Sequence, residues 1–214
     1  MHSSAIPALK TIVYVDSFNL YYGCLKGTAY KWLDLAKLVS LLLPNHQVEK
    51  IKYFTAKMVS TPHKPSRSTN QQIYLRALAT MPSVEITYGR FLSSTVRMPC
   101  ADPAAKPRTV EVIKTEEKGS DVNLAAHLLM DAVDNAYDLA VVVSNDSDLL
   151  LPIQWVRDRF KKKVGILNPQ QKHSFSLRQN TDWMRPIRQG PLSAAQFSDE
   201  LQDRDGIFRK PPKW

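Results

Sequence analysis

Three short runs along the chain are almost continuously apolar: TIVYV (11–15), LAVVV (139–143) and VGIL (164–167). Each is too short for a buried helix and rich in β-branched residues, so each reads as a strand covered on both faces. Between them, apolar positions recur at helical spacing. LDLAKLVSLLLP (33–44) predicts a helix stopping at Pro44, after a short helix or turn in NLYYGCLKG. DVNLAAHLLMDAVDNAY (121–137) sets Leu124, Leu128 and Ala132, with Ala125 and Leu129, along one helical face. IYLRALATM (73–81), LLLPIQWVRDRF (149–160) and SFSLRQNT (174–181) read as further helices, Pro152 being tolerable in a first turn.

The remaining segments complete an alternating pattern. VEKIKYFTAKM (48–58) alternates like a strand with one wet face, VEITYGRFL (84–92) is another strand, and MRPI (184–187) a last short one. TPHKPSRSTNQQ (61–72) reads as a polar, basic loop. Residues 93–119 hold two extended pieces around a Pro/Ala/Asp loop, a hairpin-like insertion. Residues 188–214 read as a polar C-terminal tail outside the core, although Phe208 and Trp214 are odd in a purely solvated segment and favour docking. Strands alternating with helices, several of them continuously apolar, predict an α/β fold with a mainly parallel sheet.

Composition narrows the partners. The 214 residues suit one domain, and 29 Lys+Arg against 20 Asp+Glu leave a net charge of +9. Such an excess favours polyanionic partners, chiefly nucleic acid. Cys24 and Cys100 are too few for a disulfide framework and match no metal-binding spacing. No run approaches the roughly 18 apolar residues of a membrane span, and MHSSAIPALK lacks the plan of a signal peptide. The expectation is a cytoplasmic protein with no membrane partner.

The chemistry lies in the carboxylates. Asp16 ends the first strand, Asp146 and Asp148 follow LAVVV, and Asp121 starts the long helix after EEKGS. In open α/β sheets ligands bind beyond the carboxyl ends of the strands, so parallel central strands would bring these acids to one edge. Four carboxylates in one cleft are costly unless a cation or protonation neutralises them. Oxygen-only ligands suit Mg²⁺ or Mn²⁺, as one ion or as two about 3.5–4 Å apart that clamp a phosphodiester. Each acid alone has a plainer reading: Asp16 and Asp121 as helix caps, the D-x-D as a turn.

YVDSFNLYY, EEKGSDVNLAAHLL and DLAVVVSNDSDLLLPI, in this order and spacing, resemble the three signature segments of the NYN domain family, the LabA-like branch of the PIN-like nuclease fold. The resemblance covers residues 10–187. It implies a three-layer α/β/α sandwich and a metal-dependent ribonuclease that hydrolyses RNA with metal-activated water. Asp16, Asp121, Asp146 and Asp148 match its acids and Asn19 its first-strand asparagine. Asn145 stands where the family turn often has Gly, and His127 where many members carry a further helix acid, with Asp131 a turn beyond.

Under that resemblance Asp16, Asp121 and Asp146 are direct or water-mediated ligands, and Asp148 ligates or orients water. Asn19 holds the first carboxylate or a phosphate oxygen. Ser144 and Ser147 support the turn, Ser17 and Lys118 meet substrate phosphate, and Glu117 is a further acid. His127 reads better as a hydrogen-bonded, partly buried side chain than as a ligand. HKPSR (63–67) and KPR (106–108) are phosphate contacts if they flank the cleft, whereas RDRFKKK (157–163) reads as a solvated helix end. The alternatives are an RNA-binding module with little or no catalysis, another metal-phosphate enzyme, or an interaction scaffold. A protein partner or homo-oligomer is compatible with all of them.

Overall fold

The computed structural model describes residues 9–58, 66–212 and 214, apart from the side chains of Ser66 and Arg67. Strand β1 (Lys10–Asp16) leads into helix α1 (Ser17–Leu20) and a π-helical turn, Tyr21–Leu25. Then come α2 (Leu35–Leu42), β2 (Gln47–Ala56), α3 (Ser66–Ala79), β3 (Val84–Pro99), β4 (Thr109–Lys118) and α4 (Ser120–Val133). The second half runs β5 (Leu139–Val143), a 3₁₀ turn at Ser147–Leu149, α5 (Leu150–Asp158), β6 (Lys163–Asn168), α6 (Phe175–Gln179) and β7 (Trp183–Pro186). Helix α7 (Gln189–Ala194) and a hairpin, β8 (Glu200–Asp203) with β9 (Gly206–Arg209), close the chain.

The main sheet has the order β4-β3-β2-β1-β5-β6-β7, and every pairing is parallel except β3 with β4. Alternate residues of β1 supply two cores. Val13 and Val15 join Leu20, Leu38 and Leu78 on one face, while Ile12 and Tyr14 join Leu124, Leu128, Ile153 and Leu177 on the other. The fold is therefore a three-layer α/β/α sandwich. After β4 the chain returns to pair β5 with the opposite side of β1. The carboxyl ends of β1 and β5 thus form the topological switch point, where such sheets open a crevice.

Two expected elements change. Strand β2 does not alternate: its last six residues are all buried. The polar residues that imitate a wet face, Lys52 and Thr55, lie inside, because the sheet is covered on both sides. Helix α3 begins at Ser66, within the expected polar loop, whose 61–65 portion lies outside the described residues. Nothing apolar marked those first turns. They are held instead by polar contacts, with Gln71 accepting from the Met58 N–H at 2.7 Å and donating to the Ala56 carbonyl at 2.9 Å. The two extended pieces of 93–119 are the outer part of β3 and the antiparallel β4, paired from Arg90–Lys118 to Pro99–Thr109.

The segment 188–214 is not outside the core. Leu192, Ala195 and Phe208 are buried with the α2 and α3 side. Backbone bonds tie it down, from the Asp34 N–H to the Ala195 carbonyl at 2.9 Å and from the Phe197 N–H to the Trp32 carbonyl at 3.0 Å. Arg76 grips Asp203 through two nitrogens at 2.7 and 2.6 Å, the bidentate geometry that makes an Arg–carboxylate pair specific. Phe208 and Trp214 signal this docking, whereas the other apolar residues are too sparse among polar ones to mark their burial. Leu192→Ala is expected to lower the unfolding free energy by about 2–5 kcal/mol in a urea titration; a change within about 0.5 kcal/mol would place the segment outside the cooperative core.

Candidate functional site

Asp16 is the hinge of the site. It is 4% exposed and caps α1, one carboxylate oxygen accepting the Asn19 N–H at 2.9 Å. The other accepts the Ser144 hydroxyl at 3.0 Å. Ser144 Oγ in turn accepts the Asp146 N–H at 3.1 Å, and Asp146 Oδ1 accepts the Asp148 N–H at 3.0 Å. Asp146 thereby caps the 3₁₀ turn. A continuous hydrogen-bond chain runs from the end of β1 to the turn after β5, through side chains brought together by the parallel β1–β5 pairing. Burial raises the Asp16 pKa; the Asn19 N–H and Ser144 hydroxyl work against that, and the charge of Asp146 adds to it.

Asp121 reaches the same edge from α4. It is not the cap of that helix: the N-cap position is Gly119, in a left-handed conformation at φ 100°, which a residue without Cβ adopts freely. Capping falls to Glu117, whose Oε1 accepts the Ser120 N–H at 3.0 Å and the Ser120 hydroxyl at 2.7 Å. Close approach is needed here too. A Cβ on Gly89 would lie 2.5 Å from Glu117 Oε1 and 2.7 Å from the Lys118 carbonyl, so the bare Gly89 lets β4 turn into α4 against β3. The Asp121 carboxyl sits at the exposed rim of the edge. Partial loss of hydration there, followed by the charges of Asp16, Asp146, Glu117 and Asp148, pushes its pKa up to about 6.

The supporting residues divide. Asn19 bonds Asp16 through its backbone N–H, while its side-chain Oδ1 accepts the Asn145 N–H at 3.1 Å and the Gln170 amide at 3.3 Å, joining the loops after β1, β5 and β6. Asn145 is not left-handed. It works through its amide, donating to the Lys172 carbonyl at 3.1 Å and accepting the Ser174 N–H at 2.7 Å. Ser147 and Asp148 are exposed at the turn. Lys118 is exposed and faces Glu116 at 3.6 Å. Ser17 is buried, its Oγ beside the Tyr53 phenol.

His127 and Asp131 lie apart from the carboxylate edge, under α4. Asp131 accepts from Lys52 Nζ at 2.6 Å and from the Tyr14 hydroxyl at 2.6 Å. His127 stands 3.4 Å from Lys52 Nζ and edge-on to Phe54. Sequence reasoning missed Gln170 and Lys172, although NPQQK follows a third apolar strand to the same edge. With Asn19, Tyr22, Gly23 and Asn145 they line an open polar cleft.

The donors fit a hard cation in kind, being carboxylate oxygens only. They are not gathered: among the described residues no group of three or more His, Cys, Asp or Glu side chains is placed to hold a metal ion. Loss of hydration at Asp121, with the repulsion of its acidic neighbours, gives a pH dependence. The folded state holds the Asp121 proton up to about pH 6, and the unfolded chain releases it near 4. The fold thus binds more protons within that window, and stability falls as pH rises through it. With chelator present, Asp121→Asn is expected to flatten this segment of the melting-temperature profile and to raise the midpoint at pH 7 relative to the parent. An unchanged profile would mean that neither burial nor the neighbouring carboxylates hold the Asp121 proton.

The comparisons with known proteins agree with this architecture. The chain is 32% identical to a 6-hydroxy-3-succinoylpyridine 3-monooxygenase of Pseudomonas putida, over 96% of this chain and 75% of that protein. A crystal structure of a protein of unknown function from Vibrio parahaemolyticus superposes with a TM-score of 0.55 at 19% identity, over 97% of this chain and 100% of that one, a likeness of fold. Residues 10–187 match the NYN domain, and the chain therefore belongs to the NYN domain family, a branch of the PIN-like, nuclease-associated fold.

Proposed function

We propose that this NYN domain binds RNA across the carboxyl edge of its sheet and hydrolyses phosphodiester bonds there with Mg²⁺ or Mn²⁺. The observation that carries the reading is the uncompensated charge of the site. Asp16 is buried, Asp121 is driven up to about 6 by burial and its acidic neighbours, and among the described residues no Lys or Arg forms an ion pair with Asp16, Asp121, Asp146 or Asp148. Such a centre repels phosphate unless a cation joins it. Asp16, Asp121 and Asp146 would have to draw together to hold the ion, with Asp148 beside them at the exposed turn. Bound there, it would neutralise the site, lower the pKa of water and stabilise charge on phosphate. Asp16 is presented by its two hydrogen bonds, Asp146 is aimed by the Asp148 N–H and Ser144, and Asn19 locks the loops around them.

Two other readings have specific support. The carboxylates are not gathered into an ion cluster, which favours an RNA-binding module with little or no catalysis, or a scaffold. The Pseudomonas putida relative is named a 6-hydroxy-3-succinoylpyridine 3-monooxygenase, which supports an oxygenase reading that would require dioxygen and a two-electron donor. Among the described residues no helix is long and apolar enough to cross a membrane, and none of these readings needs one.

Calorimetric Mn²⁺ titration of the parent and Asp146→Asn, with cleavage of a single-stranded RNA in the same samples, separates them. The expected result is ion binding and cleavage by the parent, with cleavage reduced at least 100-fold and ion binding lost in a folded Asp146→Asn. RNA bound but recovered whole at saturating Mn²⁺ would replace the nuclease with the binding module. No RNA binding, together with oxygen consumption on 6-hydroxy-3-succinoylpyridine and a reductant, would replace it with the oxygenase.

A further inference from the structure

Strand β3 is paired with β2 only as far as Ala56–Gly89. Beyond Gly89 it continues with β4 alone, as ten antiparallel pairs from Arg90–Lys118 to Pro99–Thr109. Among the described residues nothing pairs with the outer edge of β4, the end strand of the sheet. A two-stranded ribbon is marginal in water unless further strands or a helix support it. This one carries apolar residues into solvent. Val96 stands opposite Val112 and Met98 opposite Val110 on one face, and Ile113 on the other is 78% exposed. An edge of this kind is a template for another strand.

The free edge has a defined phase. The Cys100 N–H donates to the Arg108 carbonyl at 2.9 Å, so Arg108 and, by alternation, Val110, Val112 and Lys114 turn their backbone groups toward β3. Glu111, Ile113 and Thr115 turn theirs outward. The ribbon is also close to electrically balanced, with six basic side chains against four acidic between Arg90 and Lys118 in a chain of net charge +9. That balance suits a second copy of the same ribbon better than a polyanion, which a basic surface would favour.

Charge then selects the register. Paired residues share a face of the sheet, so two copies of β4 about a twofold axis meet with one residue opposite itself. An axis at Glu111, Lys114 or Glu116 sets like charges face to face, which destabilises pairing. At Ile113 it sets Arg108 against Lys118 and Val110 against Glu116; at Thr115 it sets Val112 against Lys118 and Ile113 against Glu117. At Val110 only residues 109–111 of the strand overlap. At Val112 no like charges meet: Val112 faces its own copy, Thr109 faces Thr115, and Val110 lies against the aliphatic stem of Lys114. Arg108 then approaches Glu116, which its own strand already flanks with Lys114 at 2.8 Å and Lys118 at 3.6 Å.

We propose that the β3–β4 ribbon is a homodimerisation arm, with β4 pairing antiparallel to β4 of a second copy about a twofold axis at Val112. The product is a four-stranded sheet in which Val96, Val112 and their two counterparts form one row. On the opposite face the two Ile113 side chains are diagonal neighbours across the axis. The inference does not depend on the RNA reading.

The test is sedimentation equilibrium on the full chain over a concentration series, with oxidative cross-linking beside it. The parent is expected to rise from 24.3 kDa toward twice that mass. Ile113→Pro removes an outward N–H, a change edge strands tolerate, and is expected to stay at the monomer mass with unchanged far-ultraviolet circular dichroism. In a Cys100→Ser background, Val112→Cys is expected to form a covalent dimer on mild oxidation, because a non-hydrogen-bonded pair brings its Cβ atoms to the near end of about 4.5–5.5 Å. Val110→Cys in the same background is expected to stay uncross-linked. The cross-linking reads the register even where Ile113→Pro does not fold. A parent monomeric throughout, a folded Ile113→Pro that still dimerises, or equal cross-linking from the two cysteine variants would overturn the proposal. A monomeric parent whose RNA binding falls in Arg97→Glu would overturn it in favour of nucleic acid on the ribbon.

Discussion

The buried carboxylate of Asp16 is the constraint around which the rest is arranged. A carboxylate taken almost wholly out of water is tolerable only if hydrogen bonds reach it. Here they come from two elements distant in sequence, the Asn19 N–H in α1 and the Ser144 hydroxyl at the end of β5. That requirement fixes β1 beside β5 and sets the turn of Asp146 and Asp148 against the first strand. It also makes the Asp16–Ser144–Asp146 chain a structural part of the edge itself. The capping reading and the ligand reading of Asp16 are therefore not rivals: the cap holds the carboxylate at the edge where a cation would meet it.

A second set of contacts decides where α4 stands, and with it Asp121. At one end, Gly89 and Gly119 admit the tight passage from β4, and Glu117 caps the helix. Two to three turns along, Asp131 is fastened to Lys52 of β2 and Tyr14 of β1. A buried pair of this kind adds little net stability against an apolar alternative, yet losing one partner is severe because the other stays charged and buried. Its value here is register. It pins the helix against two strands, so that the carboxylate at its start meets the edge at a set height. Asp131 thus serves α4 rather than the carboxylate edge.

The C-terminal segment shows how tertiary context can override a polar composition. Leu192, Ala195 and Phe208 are few, but each is placed where the α2 and α3 layer would otherwise be open. The Arg76–Asp203 fork and the Trp32 indole bond to the Ser198 carbonyl at 2.8 Å fix the path between them. The same region brings Trp214 over Tyr74, adding an aromatic wall beside the carboxylate edge.

The order of strands and helices, the burial of LAVVV and TIVYV, and the placement of Asp16, Asp146 and Asp121 at one edge were legible in the sequence. They depend on local periodicity and on the rule that parallel strands share a carboxyl end. Strand β2 was misread as half-wet because Lys52 looks solvated until Asp131, 79 positions away, is seen beside it. The start of α3 was hidden for the same reason, and Phe208 and Trp214 alone signalled the docking of the C-terminal segment: polar contacts and isolated apolar residues carry no period. Only the tertiary structure decided that Glu117 rather than Asp121 caps α4, that Asn19 binds Asn145 and Gln170, and that Ser17 lies beside the Tyr53 phenol. Sequence periodicity records which side of an element is buried, whereas the identity of each polar partner is set by chain crossings that no local pattern encodes.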